Sequence, residues 1–319
     1  MNDPTNHPVD IAEQRQWLID HKTGTGASWS QLAKRIDIPT GTLSQFGSER
    51  GYPGNEQQLA DKVFRYRQTL AAQASIAVEM PDVPGYFQTE TSVELTRLLA
   101  LGQRGRIVVA AMGAGLGKTT TARQYQACYS NVFLATMTPS TAGVNNMQIE
   151  VLEALGEPNA VGTPQKLSRR IRERVKDLRN PLIILDEAQH LTEKSIDEAR
   201  SWHDATGCGL ALFGNIGVMQ RIEGGSRKAA FAQLYSRIGM KVTRPLALQA
   251  DADALAAAWG IGGAAELAHI RKVCMLPGGL RGATFMVELA TMIAASEQTA
   301  LAIDHLQDAW AQLSSRAAA

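Results

Sequence analysis

The sequence predicts an α/β fold in which a parallel sheet occupies the middle of the chain, between helical N-terminal and C-terminal domains. Four short apolar runs alternate with helical patterns in this middle part: RIVVAAM, NVFLATM, PLIILDE and GLALFGN. Near-continuous apolar runs of this length are typical of parallel strands that are covered on both faces. The first 80 residues read as short helices, and the Ala- and Leu-rich chain after Pro245 also reads as helical.

Prolines mark the domain boundaries. Pro81 and Pro84 stand in the stretch MPDVPGYF, and each forces the residue before it out of helical geometry. Pro245 separates the α/β region from the C-terminal helices. We therefore expect an N-terminal domain at residues 1–80, a linker at 81–90, the α/β core at 91–245 and a C-terminal domain at 246–319.

Composition excludes several classes of protein. The chain has no apolar run long enough to span a membrane and no signal-peptide pattern, so we expect a cytoplasmic protein without a membrane partner. Its three cysteines are far apart, which suggests neither a disulfide framework nor a zinc site. The net charge of +1 does not by itself indicate nucleic-acid binding. Positive charge is nevertheless concentrated in residues 163–181 and 221–244, where a solvated basic face is the alternative interpretation.

The stretch GAGLGKTT has the sequence context of a phosphate-binding loop, because it follows a predicted strand and precedes a helix. Backbone N–H groups of such a loop surround the phosphates. We expect Lys118 to neutralise the β- and γ-phosphates of ATP and the Thr119 hydroxyl to bind Mg²⁺. The usual pattern has glycine where this chain has Met112, so we expect Gly113 to take up the bend; an unrelated Gly-rich turn is the alternative. The expected ATP-binding residues are Gly113, Ala114, Gly115, Leu116, Gly117, Lys118, Thr119 and Thr120.

Polar residues at the ends of two further strands complete the predicted catalytic site. In LIILDEAQH, Asp186 is expected to hold the hydration shell of the magnesium ion and Glu187 to polarise the attacking water. Asn215 follows GLALFG and is placed to orient the same water. Arg237 and Arg281 are candidates for the phosphate oxygens, because a guanidinium is always charged and binds in a bidentate manner. Each feature alone is weak, since strand ends are often polar and arginines usually lie on the surface.

The N-terminal stretch SWSQLAKRIDIPTGTLSQFGSERG resembles a helix-turn-helix of the phage-repressor type. We expect Ser28 and Gln31 to form a capping box, Asp37 to adopt the left-handed turn and Thr40 to cap the second helix. The candidate DNA contacts are Thr40, Thr42, Ser44 and Gln45 on the second helix, with Lys34, Arg35 and Arg50 near phosphates. A small protein-binding domain remains the alternative, and weak, shape-tolerant DNA contact is favoured over a base-specific reader.

The order of these motifs along the chain resembles that of the AAA+ ATPases, a family with a P-loop core, a parallel sheet and a small helical, lid-like C-terminal domain. The matching segments are GAGLGKTT, LIILDEAQ, LALFGN, YSRIG and GGLR. The resemblance implies that Asn215 is sensor 1, Arg281 is sensor 2 and Arg237 is the arginine finger. In that family the finger acts on ATP bound by a neighbouring subunit, which implies a homo-oligomer.

Nearly the whole chain is similar to a narrower family, the B transposition proteins of Mu-like transposable bacteriophages. The similarity includes IPTGTLSQF, LATMTPSTAG and LFGNIGVMQRIEGGSRKAAFAQLYSRI. It implies an ATPase, stimulated by DNA, that forms filaments on duplex DNA with little sequence preference, captures target DNA and activates a cognate transposase. Two loops offer groups to the DNA backbone: Thr138 and Ser140 in one, Arg227 and Lys228 in the other. A nucleotide-gated helix-turn-helix transcription regulator and an AAA+ helicase loader are the alternatives.

Overall fold

A computed structural model of the chain describes residues 9–48, 50–79, 81–218 and 236–317. The chain divides into two compact units, Met1–Pro81 and Asp82–Ala319. None of the helices in the described ranges is long and apolar enough to cross a membrane.

The first unit consists of helices α1 (Ile11–Thr25), α2 (Trp29–Ile36), α3 (Thr40–Phe46) and α4 (Glu56–Glu79). Their shared core includes Leu18, Leu32, Leu43, Phe46 and Val63. The predicted capping box of Ser28 and Gln31 is confirmed at the start of α2. The left-handed turn predicted at Asp37, with φ of 58°, is also confirmed.

One local prediction in this unit is wrong, because Thr40 does not cap α3. Thr40 is the first residue of the helix, and Pro39 occupies the N-cap position, where no side chain caps the helix. Pro39 has ψ of 137°, which already supplies the extended geometry that an N-cap residue needs. The helix therefore begins at the residue that was expected to precede it.

In the described residues of the second unit, a five-stranded parallel sheet forms the centre. Its strands are β1 (Ile107–Met112), β2 (Val132–Thr136), β3 (Leu182–Asp186), β4 (Gly209–Gly214) and β5 (Ile238–Arg244). They lie in the order β2-β3-β4-β1-β5. The four predicted strands are confirmed. The fifth, β5, was not predicted, because most of its residues are exposed or half-buried and its sequence, IGMKVTR, has no apolar run.

Helices cover both faces of this sheet. One face packs against α7 (Val144–Ala154), α8 (Pro164–Lys176) and α9 (Glu193–Thr206). The other face packs against α5 (Glu90–Gln103) and α6 (Lys118–Cys128). The same hydrophobic cluster continues into the C-terminal helices α10 (Gln249–Ala258), α11 (Ala264–Cys274), α12 (Gly279–Ser296) and α13 (Ile303–Ala317).

The strand order brings the predicted site residues to one edge of the sheet. Because β4 lies between β1 and β3, the residue after β4 stands between the phosphate-binding loop and the acidic pair. Ala111 pairs with Gly214, and Leu185 pairs with Leu212, so the three strands end close to the same level. The carboxyl edge of a parallel sheet is the usual position of a ligand site in such folds.

Candidate nucleotide-binding site

The loop between β1 and α6 leaves the amino end of the helix open to a ligand. Gly117 is the N-cap residue, with φ of 80°, and no side chain caps α6. The first N–H groups of a helix have no intrahelical acceptor, and together with the helix dipole they favour an anion. A phosphate group therefore fits the amino end of α6.

Met112 does not disturb the loop, although glycine is usual at its position. It is the last residue of β1, is fully buried and pairs with Arg244 of β5. The loop backbone first comes too close to another segment for a side chain at the next residue, since a Cβ at Gly113 would lie 2.2 Å from the Pro245 carbonyl oxygen. Gly115 has φ of 74°, and a Cβ there would also collide with neighbouring backbone. The loop thus needs glycine at positions 113 and 115, and a strand residue is sufficient at position 112.

The Lys118 ammonium is held inside the loop. Its Nζ donates hydrogen bonds to the carbonyl oxygens of Met112, at 3.0 Å, and Gly113, at 2.8 Å. Burial lowers the pKa of Lys118, while the carboxylates of Glu187 and Asp186 oppose this shift. A cation with so little access to water attracts the charge of a bound phosphate more strongly than an exposed one.

Asp186 and Thr119 form the second part of the site. Asp186 is fully buried at the end of β3, and its Oδ2 accepts a hydrogen bond of 2.6 Å from the Thr119 hydroxyl. Its Oδ1 accepts a bond of 2.9 Å from the Glu187 N–H. A hydroxyl beside a carboxylate is an oxygen set that suits Mg²⁺.

Glu187 lines the same cavity in a rarely used backbone conformation, with φ of 53°. Its carboxylate accepts a hydrogen bond from the Gln189 amide. Asn215 stands at the tip of β4, as predicted, and its side-chain oxygen accepts a hydrogen bond of 2.9 Å from the Gly217 N–H. Left-handed geometry at a residue other than glycine is costly and is concentrated at functional sites.

A cavity of about 380 Å³ extends from the phosphate-binding loop to an apolar end. The polar end is lined by the loop, Lys118 and Glu187, and the apolar end includes Val83, Tyr86, Phe87, Trp259 and Phe285. The Trp259 indole N–H is buried and has no partner among the described residues. The polar end fits a triphosphate, and the aromatic end fits a base, so the cavity as a whole fits a nucleotide.

Sequence reasoning did not identify the apolar end of the cavity. Residues 83–87 lie in the stretch that was interpreted as a linker, but they belong to the same unit as the sheet and line the cavity. The signal that was available is the pair Tyr86-Phe87, directly before α5. Two adjacent aromatic residues in a short linker indicate that this stretch packs against another part of the protein.

The two predicted arginines lie at opposite ends of the strands: Arg281 is near their carboxyl ends and Arg237 is at the amino end of β5. Arg281, in the first turn of α12, lines the cavity, and its backbone N–H donates to the Gly115 carbonyl at 3.3 Å. Arg237 directly precedes β5 and forms an ion pair with Asp204 of α9, with Nε 2.7 Å from Oδ1. The end of β5 near the loop is Arg244, roughly 23 Å away at about 3.3 Å for each of the seven residue steps. Arg237 therefore does not reach the nucleotide cavity of its own chain.

The predicted DNA contacts are distributed over both units. In the first unit Lys34, Arg35, Thr40, Gln45 and Arg50 are exposed, whereas Thr42 and Ser44 are half-buried. In the second unit Thr138 and Ser140 are exposed in the turn after β2, and their hydroxyls lie 2.8 Å apart. Arg227 and Lys228 lie outside the described residues. The DNA-binding role of all these residues stays a prediction.

Comparison with protein families agrees with this geometry. Residues 103–222 match the family model of the AAA domain, and residues 236–313 match that of the Mu B transposition protein, C terminal. The fold, the phosphate-binding loop and the acidic pair define an ATPase of the AAA+ class. The chain is also 31% identical to the ATP-dependent target DNA activator B of Escherichia phage Mu, over 95% of each chain. The chain belongs to the family of Mu B transposition proteins.

Two solved structures with a similar fold are those of an ORC and an ORC1 protein, each with DNA. The Drosophila ORC bound to DNA has a TM-score of 0.51 and 16% identity, covering 73% of this chain and 63% of that chain. The Aeropyrum pernix ORC1 protein in complex with DNA has a TM-score of 0.52 and 18% identity, covering 74% and 68%. At these identities the similarity establishes the fold alone.

The aromatic end of the cavity leads to a first prediction. Tyr86 and Phe285 are 42% and 53% exposed, so a bound base would cover apolar surface that water now contacts. We expect Tyr86→Ala and Phe285→Ala each to weaken ATP binding by roughly 10-fold, the scale of an aromatic stacking interaction. Isothermal titration with ATP measures the effect. Tyr129→Ala is the control, because Tyr129 is 49% exposed but lies outside the cavity; equal affinity losses in all three variants would contradict the assignment.

Proposed function

We propose that this chain is an ATP-dependent, largely non-sequence-specific DNA-binding protein that assembles as a helical filament on duplex DNA. In this role it captures target DNA for transposition and activates the cognate transposase. Family membership supports the proposal, because the relative from phage Mu is named ATP-dependent target DNA activator B. The single observation that carries it is the position of Arg237, at the edge of the sheet opposite the nucleotide cavity.

From this position Arg237 can act only on a nucleotide that a second subunit holds. The cavity contains Lys118, Glu187 and Arg281, but Arg237 is too distant to contact a nucleotide in it. If Arg237 completes the charge stabilisation of phosphoryl transfer beside Arg281, it must act on a nucleotide that a neighbouring chain holds. ATP would then link two subunits, because Arg237 of one subunit contacts the γ-phosphate held by the next. Hydrolysis removes that contact and favours disassembly.

Within one subunit, each residue of the site has a separate role in ATP hydrolysis. Lys118 binds the β- and γ-phosphates, Glu187 polarises the attacking water, and Asn215 helps to position that water. Arg281 contacts the phosphates from α12, so closure of the C-terminal domain, residues 246–319, responds to the nucleotide. Residues 91–245 form the ATPase core in this scheme.

Mg²⁺ is the expected cofactor. Thr119 and Asp186 would hold it, and their hydroxyl and carboxylate already lie 2.6 Å apart. When bound, the ion supplies Lewis-acid stabilisation of the charge that develops on the phosphate oxygens. We place the activity in the cytoplasm of the bacterial host, without a membrane partner.

DNA contacts are assigned to two loops and to the N-terminal domain. Thr138 and Ser140 follow β2 at the carboxyl edge of the sheet, and Arg227 with Lys228 follows β4 in the sequence. Hydroxyl and cationic groups of this kind bind phosphates without reading bases. The N-terminal domain, residues 1–80, adds weak contacts through the exposed Lys34, Arg35 and Arg50.

Electron microscopy with long, random duplex DNA tests the proposal most simply. We expect continuous filaments in the presence of ATP and none in its absence. A nucleotide-gated transcription regulator would instead occupy a discrete operator, and a helicase loader would prefer single strands and bind a replicative helicase. Either of those patterns would contradict the filament proposal.

The double substitution Arg227→Ala and Lys228→Ala tests the second DNA loop. Removing two cations that bind phosphates should weaken binding to all sequences alike, because both groups are assigned to the DNA backbone. The slope of log affinity against log salt should flatten by about one unit for each phosphate that is no longer neutralised. Fluorescence anisotropy on random duplexes at several salt concentrations measures the slope, and an unchanged slope would exclude this pair from the DNA path.

A further inference from the structure

The Gln189 side chain connects two catalytic candidates that come from different strands. Its amide nitrogen donates a hydrogen bond to Oε2 of Glu187. Its amide oxygen accepts a hydrogen bond of 3.1 Å from the Asn215 N–H at the tip of β4. Gln189 is not among the described residues that line the nucleotide cavity, and these two hydrogen bonds connect it to the site.

A 3₁₀ turn on one side and a glycine on the other fix the position of the Gln189 side chain. Gln189 lies in a 3₁₀ turn, Ala188–His190, that begins directly after Glu187. The turn is closed by backbone hydrogen bonds from His190 to Glu187, at 3.0 Å, and from Leu191 to Ala188, at 3.1 Å. On the side of β4, a Cβ at Gly214 would lie 2.5 Å from the Gln189 amide oxygen. The end of β4 thus has space for Gln189 because residue 214 has no side chain.

Glu187 needs such a partner for two reasons. Its left-handed backbone, with φ of 53°, is a conformation that must be held by surrounding contacts. Its side chain also has several rotatable bonds, so an unrestrained carboxylate would spend little time in the geometry that polarises water. An amide donor on one carboxylate oxygen fixes the carboxylate and keeps the other oxygen available.

We infer that Gln189 is a positioning residue that holds the Glu187 carboxylate against the end of β4 for ATP hydrolysis. The inference rests on the proposed role of Glu187. Through the bond to Asn215, the orientation of Glu187 depends on the strand that leads into residues 216–236, where the proposed DNA loop begins. Gln189 therefore couples the position of the water-polarising group to the position of that strand end.

Two substitutions test the bonds of Gln189. Gln189→Met removes both bonds at similar size, and Gln189→Glu keeps an acceptor for the Asn215 N–H but replaces the donor to Glu187 with a second carboxylate, which repels it. We expect both variants to lower kcat for ATP by about 10-fold or more, the scale of a hydrogen bond to a charged group. KM, ATP affinity by isothermal titration and melting temperature should stay at wild-type values. The ATP-bound complex should leave duplex DNA more slowly, because hydrolysis is slower.

The Glu187→Gln background supplies the decisive control. If Gln189 acts through Glu187, adding Gln189→Met to Glu187→Gln should cause no further decrease in single-turnover hydrolysis. A further decrease of full size would mean that Gln189 acts elsewhere, and wild-type kcat in Gln189→Met would also overturn the inference. The two proposals fail in different ways. Wild-type turnover in Glu187→Gln alone removes the role of Glu187, whereas a slow Glu187→Gln with a fast Gln189→Met removes only the role of Gln189.

Discussion

Replacing Arg237 with alanine is expected to lower DNA-stimulated ATP turnover by about 10³-fold or more, the scale of an arginine finger. Each subunit should still bind ATP, because Arg237 lies at the edge of the sheet opposite the nucleotide cavity. The decrease should appear in kcat, since the guanidinium is assigned to the charge that develops during phosphoryl transfer. Steady-state hydrolysis with saturating duplex DNA, beside a titration of ATP affinity, measures both quantities.

The ion pair of Arg237 provides a matched control. Asp204→Asn removes the carboxylate that Arg237 contacts at 2.7 Å, but it leaves the guanidinium in place. An ion pair with both side chains about one third exposed contributes only about 0.2–1 kcal/mol to stability. We therefore expect a small change in melting temperature in both variants and a large decrease in turnover only in Arg237→Ala. Normal turnover in Arg237→Ala would contradict the finger assignment.

The second large effect is a contrast between Lys118→Met and Glu187→Gln. We expect the first substitution to prevent assembly on DNA and the second to prolong it. We propose that Lys118 binds the β- and γ-phosphates in the ground state, so without it ATP should not order the subunit interface. No filament should form on DNA. The melting temperature without nucleotide should change little, because the lost hydrogen bonds from Nζ to the carbonyl oxygens of Met112 and Gly113 are offset by relief of the desolvation that lowers the pKa of Lys118.

Glu187→Gln should instead stabilise the DNA-bound state. The amide keeps the size of the side chain and leaves ATP bound, while water loses its general base, at a cost of roughly 10²-fold or more in rate. The filament should persist on DNA far longer than that of the wild type. Dissociation from labelled duplex after a chase with unlabelled competitor, at fixed salt and ATP, measures this lifetime. Dissociation at the wild-type rate would mean that hydrolysis does not drive release.

Much of the fold was predictable from the sequence because its strongest signals are local. The strands β1, β3 and β4 are buried on both faces, so their apolar runs identify them without tertiary information. Strand β2 lies at an edge of the sheet and is partly buried, but its first four residues, VFLA, still form an apolar run. Strand β5 was not predicted because most of its residues are exposed or half-buried. Its sequence, IGMKVTR, therefore mixes polar and apolar residues and has no apolar run. In the described part of the chain β5 pairs with β1, and this long-range pairing decides its conformation.

The parts of the candidate site that could be predicted are those whose residues lie together in one short sequence motif. Lys118, Thr119, Asp186 and Glu187 could be assigned because the order strand, loop, helix fixes their surroundings. The aromatic end of the cavity combines residues 83–87 with Trp259 and Phe285, which follow much later in the sequence, and no local pattern connects them. Gln189 was likewise not singled out, because its role depends on Gly214 and Asn215 of another strand.

Mixing two inactive variants tests the central claim, that one subunit completes the ATPase site of the next. An Arg237→Ala subunit keeps its own phosphate-binding loop, and a Lys118→Met subunit keeps its own Arg237. At an interface between them, Arg237 of the Lys118→Met subunit faces ATP held by the Arg237→Ala subunit. We predict that the mixture on duplex DNA hydrolyses ATP well above the sum of the two separate variants. Turnover no greater than that sum, with both variants present on the DNA, would contradict the account.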